Sequence, residues 1–452
     1  MKKFDLVVLG GGTAGLTIAK EAAAYGWEVA LVEERALGGT CVNDGCIPTK
    51  TLIHSAKVMR YVRRASEYGI KTAPLTVDWP AVAGRKDALV RAMRENIQQS
   101  INDNEKVHFF EGSAFFEAPN RISVGDGLLT GEKIIICTGA RTQIPPVKGL
   151  NEVPYLTSTT ALELQQLPES LVIIGGGIIA VEFAQMFAAF GVQVTILQRS
   201  PRIIPNVEPE LSAGIQAVLE RDGLNIITSA DIKAVQRNEN KAQVTLTAPD
   251  GEKSLTADQL LVATGRAPNT DQLQLDKVGV ETDKRGYIKV DHAFQTSVPG
   301  IWALGDVTGG AMFTHRSWHD GFLLARHFFK GETISTQDRL IPYAIFTDPE
   351  IAAVGLGEEA AREKGHTVKI LSQPFKYVAR AMAMAEEDGL IKLIVDEKTD
   401  ALLGAHIFGP SAGELIHELA AVIRFGGKLF DLQDMLHIHP TLAEGINSAA
   451  LS

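Results

Sequence analysis

Two stretches of the chain share one pattern of apolar runs, glycines and helical spacing. "FDLVVLGGGTAGLTIAKEAAAYGWEVALVEE" (4–34) sets an apolar run before a glycine cluster, then a helix-like segment, then a second apolar run. This order predicts strand, glycine turn, helix and strand, with the second strand over 29–32 and Glu33 ending it. "LVIIGGGIIAVEFAQMFAAFGVQVTILQRS" (171–200) repeats the pattern. "KIIICTGA" (133–140) and "QLLVATGRAPN" (259–269) read as apolar strands ending in Thr-Gly, and "TSVPGIWALGDV" (296–307) as a strand ending at Asp306. From 336 onward, "RLIPYAIFTDPEIAAVG", "GLIKLIVDEKTDALLGAHIFG" and "GELIHELAAVIRFGG" predict strands and helices with no glycine cluster, hence a separate α+β domain. Boundaries fall near 150, 270 and 335, dividing the chain into 1–150, 151–270, 271–335 and 336–452.

The glycines have a chemical reading. Gly10, Gly12 and Gly15 fit G-x-G-x-x-G, where glycine permits a tight turn, backbone approach to a pyrophosphate and close helix–strand packing. The helix that follows presents free N–H groups and a positive dipole end. Glu33, 18 residues after Gly15, can accept hydrogen bonds from a ribose. Gly175, Gly177 and Ala180 give G-x-G-x-x-A in the second copy. One chain then carries two dinucleotide sites; the plainer alternative is a duplicated domain that has lost one ligand. Asp306 either meets a polar target such as a flavin ribityl chain or is an exposed turn acid.

Composition narrows the class. A chain of 452 residues, 45% hydrophobic and 22% charged, is ordinary for two to four globular domains. A net charge of −10 argues against nucleic acid as a main partner. The opening "MKKFDLVVLGGGTAGLTIA" resembles a short signal peptide, but glycines break the apolar run and Glu21 continues the helix. No run reaches the ~20 apolar residues of a membrane span. Three cysteines are too few for a disulfide scaffold and point to a reducing, cytoplasmic setting.

Two of those cysteines, Cys41 and Cys46, stand five positions apart in "GGTCVNDGCIPTK". No second pair or histidine cluster completes a zinc set, so no metal site is expected. Residues i and i+5 of a regular helix rise ~7.5 Å and diverge, so a disulfide needs a distorted turn, which Gly45 and Pro48 favour. So short a loop is a poor staple. The provisional reading is a redox couple. Cys137 reads as a small buried apolar residue.

Together these residues resemble the flavoprotein disulfide reductases: dihydrolipoamide dehydrogenase, glutathione reductase, mercuric reductase and relatives. The likeness spans essentially the whole chain and includes the closing "HIHPTLAE" (437–444). It implies an α/β fold with two Rossmann-type domains, for FAD and NAD(P), and a C-terminal α+β dimerisation domain, with 271–335 completing the FAD domain. By resemblance, Cys46 is the sulfur against the flavin and Cys41 the one that meets substrate. Glu33 and Asp306 would hold FAD, with Thr40, Gly112, Thr138, Gly139 and Thr314 as further contacts. Lys50 would stand near flavin N5, paired with Glu182; the plainer alternative is two surface helix charges. The second fingerprint, with Gln198, Arg199 and Gly265, would hold the nicotinamide cofactor. His439 and Glu444 fit His-Pro-Thr-x-x-Glu, an imidazole that shuttles the proton and a carboxylate that orients it. In the family this histidine reaches the other subunit's cysteines, so a homodimer with a shared active site is implied.

Among the relatives, "FTHRSWHDG" (313–321) and His437 are similar to the dihydrolipoamide dehydrogenase form. Mercuric reductases typically end in a further cysteine pair and lack the His-Pro-Thr histidine. Two residues depart: Asp44 occupies a usually apolar position, where it either tunes the cysteines or points to solvent, and Gln198 replaces the acid of NAD-preferring members. Arg199 follows Gln198 directly, which favours NADPH over NADH unless its side chain points away. The leading expectation is an NADPH-using, dihydrolipoamide-dehydrogenase-like enzyme acting on a disulfide or dithiol. The alternatives are an NADPH-dependent metal-ion reductase, or an FAD-bearing redox subunit that docks on a lipoylated carrier protein.

Overall fold

The computed structural model describes residues 2–337 and 339–452. The chain divides into two compact units, one of Met1–Thr51, Pro80–Gln143 and Gly265–Arg339, the other of Leu52–Trp79, Ile144–Thr264 and Leu340–Ser452.

The first unit is built on the strand Lys2–Leu9, which pairs in parallel with Val29–Glu33 on one side and with residues 129–136 of Gly127–Ile136 on the other. Val107–Glu111 extends the sheet beyond Val29–Glu33, and Ile301–Ala303 runs parallel to residues 134–136. Successive side chains of a strand face opposite ways. Leu6 and Val8 therefore join the core under the helices Thr13–Ala24 and Thr314–Lys330, while Val7 and Leu9 join the core on the other face. Both faces are covered, as a parallel sheet requires. On its other edge the start of Gly127–Ile136, residues 127–130, pairs antiparallel with Arg121–Val124.

The stretch 296–307 is shorter as a strand than the sequence suggested. Gly305 takes φ +73° and turns the chain, so Ile301–Ala303 is the strand and Asp306 sits in the 3₁₀ turn Gly305–Thr308. The 24-residue helix Trp79–Asn102 is an element the sequence reading did not anticipate.

In the second unit the strand Ser170–Ile174 lies between Gln193–Leu197 and Gln259–Val262 in a four-stranded parallel sheet. The helix Ile178–Ala189 follows the fingerprint, and a three-stranded antiparallel sheet over 231–257 packs against this one. The C-terminal part is a five-stranded antiparallel sheet with Glu350–Gly355, Leu402–Gly409 and Leu390–Asp396 at its centre. Helices Ala412–Arg424 and Glu444–Ala450 cover it through Ile416, Leu419, Ile446 and Ala449. Among the described residues no helix is long and apolar enough to cross a membrane.

Candidate active site

The cysteine motif folds as two helices with a break between them. Gly39–Asn43 forms one turn, and Cys46–Arg63 starts afresh after Asp44 and Gly45. A Cβ on Gly45 would lie 2.7 Å from the Thr40 carbonyl oxygen, so only glycine lets the chain turn this tightly. The break removes the i, i+5 divergence of a continuous helix and lets the two sulfurs face each other. Both are thiols here and both are half-buried. A hydrogen bond to Cys46, then burial, then the charge of Cys46 push the Cys41 thiol far up; Thr314 and Lys50 pull against them. Cys41 is thus the sulfur of the pair that is held as the thiol. Cys46 Sγ lies 3.3 Å from Thr314 Oγ1, at the first residue of the helix Thr314–Lys330. A helix N-terminus favours an anion at that place.

Beside this pair lies a cleft of about 400 Å³, whose lining includes Gly10, Gly12, Glu33, Thr40, Gly112, Thr138 and Gly139. Its floor is backbone. A Cβ on Gly10 would lie 2.4 Å from the Cys137 carbonyl oxygen, and one on Gly15 would lie 1.9 Å from that of Gly10. Gly12, by contrast, has no atom nearer than 3.8 Å to where a Cβ would stand, and it opens the helix Thr13–Ala24 with no side-chain cap. That uncapped end leaves N–H groups for a pyrophosphate. Glu33 Oε2 accepts the Gly11 N–H at 2.8 Å, which fixes its carboxylate at the cleft edge. Cys137 is buried in the core behind it. Asp306 is half-buried; burial pushes its carboxyl up, against the pull of Arg266 and Arg316. These residues fit FAD, which would supply a two-electron carrier beside the dithiol.

The second fingerprint repeats the geometry. A Cβ on Gly175 would lie 2.3 Å from the Ala263 carbonyl oxygen, Gly177 has open space, and Ala180 is fully buried. Gln198 Oε1 accepts the Gly176 N–H at 3.0 Å, the counterpart of Glu33 on Gly11. Arg199 is exposed, whereas the Arg202 guanidinium is tied to the Pro205 carbonyl oxygen at 2.9 Å. Glu182 is buried and accepts the Phe346 N–H at 2.9 Å. Lys50 belongs to the first unit and Glu182 to the second. Near the C-terminus, His439 Nδ1 lies 2.8 Å from Glu444 Oε1, and Glu444 Oε2 accepts the Thr441 N–H at 2.8 Å.

The family model for pyridine nucleotide-disulphide oxidoreductases matches residues 4–321, and that for their dimerisation domain matches 341–450. The chain belongs to this family. FAD and a pyridine nucleotide are the cofactors expected of such an oxidoreductase, and Cys41–Cys46 is its redox pair. The dimerisation-domain match supports a homodimer. A mercuric reductase of Staphylococcus aureus is 37% identical over 99% of this chain and 82% of its own length. A dihydrolipoyl dehydrogenase of Bacillus subtilis is 34% identical over 100% of this chain and 98% of its own. The structure of the Cu(II) complex of the HOCl-induced flavoprotein disulfide reductase RclA from Escherichia coli superposes with a TM-score of 0.91 at 35% identity, over 100% of this chain and 99% of that one.

Within this oxidoreductase, Asp44 does not point to solvent, which was one of its two expected placements. It is 7% exposed, and its Oδ2 pairs with an Arg35 guanidinium nitrogen at 2.6 Å. Three further residues escaped the sequence reading. Asp320, fully buried, accepts the Gly305 N–H at 3.1 Å and pairs with Arg339 at 2.6 Å, setting the turn that carries Asp306. Arg94 donates to Asn43 Oδ1 at 2.8 Å, steadying the first cysteine turn. No local pattern marks Asp320, whose neighbours one turn away on the helix include Arg316 and Ser317 as well as Leu323 and Leu324.

Proposed function

We propose that the protein carries electrons from NADPH, through FAD and the Cys41–Cys46 pair, to a disulfide substrate of the lipoamide type. The contact between His439 and Glu444 at 2.8 Å is the observation that supports this most. A disulfide that accepts two electrons also takes up two protons, one on each sulfur. A metal ion reduced by the same dithiol takes up none. An imidazole steered by a carboxylate therefore has a proton to deliver to substrate in the first reaction and none to deliver in the second, where the dithiol only releases protons. In this reading Cys46 faces the flavin and Cys41 forms the mixed disulfide with substrate. His439, supplied by the second subunit, holds the proton of the leaving sulfur. Glu33, Thr40, Gly112, Thr138, Gly139, Asp306 and Thr314 would hold FAD, with Lys50 beside its reactive edge. Gly175, Gly177, Ala180, Gln198, Arg199 and Gly265 serve the nicotinamide cofactor.

A second reading, reduction of a thiophilic metal ion, draws support from the similarity to a mercuric reductase and to a flavoprotein whose structure is a Cu(II) complex. The test is NADPH oxidation with lipoamide, oxidised glutathione, Hg(II) or Cu(II), in wild type and His439→Ala. Lipoamide should turn over fastest and depend on His439. Turnover with metal ions alone, unchanged in His439→Ala, would replace the first reading with the second.

A further inference from the structure

The break between the two cysteine turns is held by a charged tie. Asp44 is the residue at the break, with φ −149° and ψ 28°, one position before Gly45 and two before Cys46. Its backbone N–H still donates to the Thr40 carbonyl oxygen at 3.1 Å, closing the Cys41 turn, while its side chain turns back to Arg35. Arg35 is anchored in turn, since its N–H donates to Glu33 Oε1 at 2.9 Å. Glu33 is fixed by Gly11 at 2.8 Å. A short relay thus runs from the first fingerprint, through Glu33, Arg35 and Asp44, to the peptide that separates the cysteines. The Asp44 side chain faces Arg35 while its backbone closes the Cys41 turn, so the tie bears on the shape of that turn.

The geometry points to Asp44 as a positioning residue that, through Arg35, holds Cys41 against Cys46 and so stabilises the disulfide form of the pair. A dithiol already held face to face loses little freedom on forming its S–S bond, whereas a loosened one loses more. The inference rests on the redox role of Cys41–Cys46 and is independent of which oxidant the pair meets.

The test equilibrates the FAD-loaded protein with reduced and oxidised glutathione. One glutathione thiolate attacks the Cys41–Cys46 disulfide to give a mixed disulfide. A second displaces it, releasing oxidised glutathione and both protein thiols, so two electrons enter the protein. Alkylation and mass spectrometry then read the fraction still oxidised in wild type, Asp44→Val, Arg35→Met and the double variant. Each single variant should shift the equilibrium toward the dithiol by about three- to fivefold, equivalent to ~15–20 mV, the scale of a partly exposed ion pair. The double variant should shift it no further than either single one. Shifts of opposite sign in Asp44→Val and Arg35→Met would mean that each charge acts on the thiolates directly and would overturn the inference. Loss of thermal stability or FAD content with an unmoved equilibrium would reduce the pair to a structural contact and overturn it as well. A wild-type protein that forms no Cys41–Cys46 disulfide at any glutathione ratio would sink the redox role itself, a failure distinguishable from the other two.

Discussion

Cys46 Sγ lies 3.3 Å from the hydroxyl of Thr314, the residue that opens a 17-residue helix. The same sulfur belongs to the first residue of the helix Cys46–Arg63, so two helix N-termini bear on one thiol. Cys41 cannot take the charge, because its hydrogen bond to Cys46 and its burial push its thiol far up. The contacts around Cys46 are therefore the ones that bear on the first ionisation of the reduced pair. Removing the hydroxyl in Thr314→Val should raise the first ionisation of the pair by about one pH unit, the worth of one hydrogen bond to a charged acceptor. The rate of iodoacetamide alkylation against pH, mapped by mass spectrometry, measures it. An unmoved profile would show that the hydroxyl does not donate to the sulfur.

His439 exposes most of its imidazole, and Glu444 holds Nδ1, so Nε2 is the nitrogen left for a substrate proton. The Thr441 N–H and then His439 hold the Glu444 carboxyl below its usual range. For a carboxyl lowered in this way, the pairing is complete above its ordinary pKa and is lost as the pH falls through the depressed one. Orientation of His439 should therefore survive throughout neutral pH and fail only in acid. His439→Ala should cost roughly 10²–10⁴-fold in disulfide turnover, the usual span for a general acid–base group. Stopped-flow measurement of flavin reduction by NADPH should show little change. Equal losses in both half-reactions would indicate that the residue only supports the subunit interface.

Lys392 anchors the second unit. Its ammonium is almost fully buried, 2.6 Å from Glu208, 2.5 Å from Glu210 and 3.0 Å from Glu358, on the strand Leu390–Asp396. Those partners hold its pKa up against burial, and Lys392 in turn lowers that of Glu358. Lys392→Met leaves three carboxylates facing one another and should destabilise by about 3–5 kcal/mol, as expected when one partner of a buried ion pair is removed. Because the contribution of Glu358 is lost as pH falls through its depressed pKa, the gap in melting temperature between wild type and variant should narrow in acid. Adding Glu208→Gln should restore part of the loss. A constant gap from neutral to acid pH would mean that the destabilisation is a packing defect instead.

What the sequence made legible follows from range. The placement of Gly10, Gly12, Gly15 and Glu33 was legible because turn, helix and strand follow one another within about thirty residues, and the second copy repeats the spacing. The paired cysteines were readable as a couple because Gly45 between them permits the break that the structure contains. The partner of Asp44 was not readable, because Arg35 reaches it around a loop whose path no local pattern sets. Lys392 was within reach: a lysine in "LIKLIV", amid strand residues otherwise apolar, had to be buried with its counter-charges. Its three glutamates come from sequence 34 to 184 residues away, and only the packed unit brings them together. Asp320 is similar, since its buried carboxylate serves Gly305 and Arg339 across two turns of chain that sequence spacing does not join.

The choice between NADPH and NADH turns on Gln198 and Arg199. In the first fingerprint the acid at the end of the second strand, Glu33, accepts the N–H of the middle glycine. In the second, Gln198 makes that same bond at 3.0 Å with its amide oxygen, and its amide nitrogen turns toward Ser200 and the Arg202 carbonyl. A carboxylate there would bind both ribose hydroxyls of NADH and repel a 2′-phosphate. The neutral amide removes the repulsion without disturbing the backbone it anchors. Arg199 is exposed beside it, and a guanidinium keeps its charge and matches phosphate geometry. Arg202 is tied to Pro205, which leaves Arg199 as the side chain available to a phosphate. Loss of the repulsion together with one added charge-assisted contact should shift the balance by about 2–4 kcal/mol, roughly 30- to 1000-fold in favour of NADPH. The ratio of kcat/KM for NADPH over NADH in wild type and Arg199→Ala measures this. A wild-type ratio below one refutes the preference, and a ratio above one that survives Arg199→Ala assigns it to the missing carboxylate alone. Restoring the acid in Gln198→Glu should then lower the ratio further than Arg199→Ala does, because it returns the repulsion while keeping the Gly176 hydrogen bond.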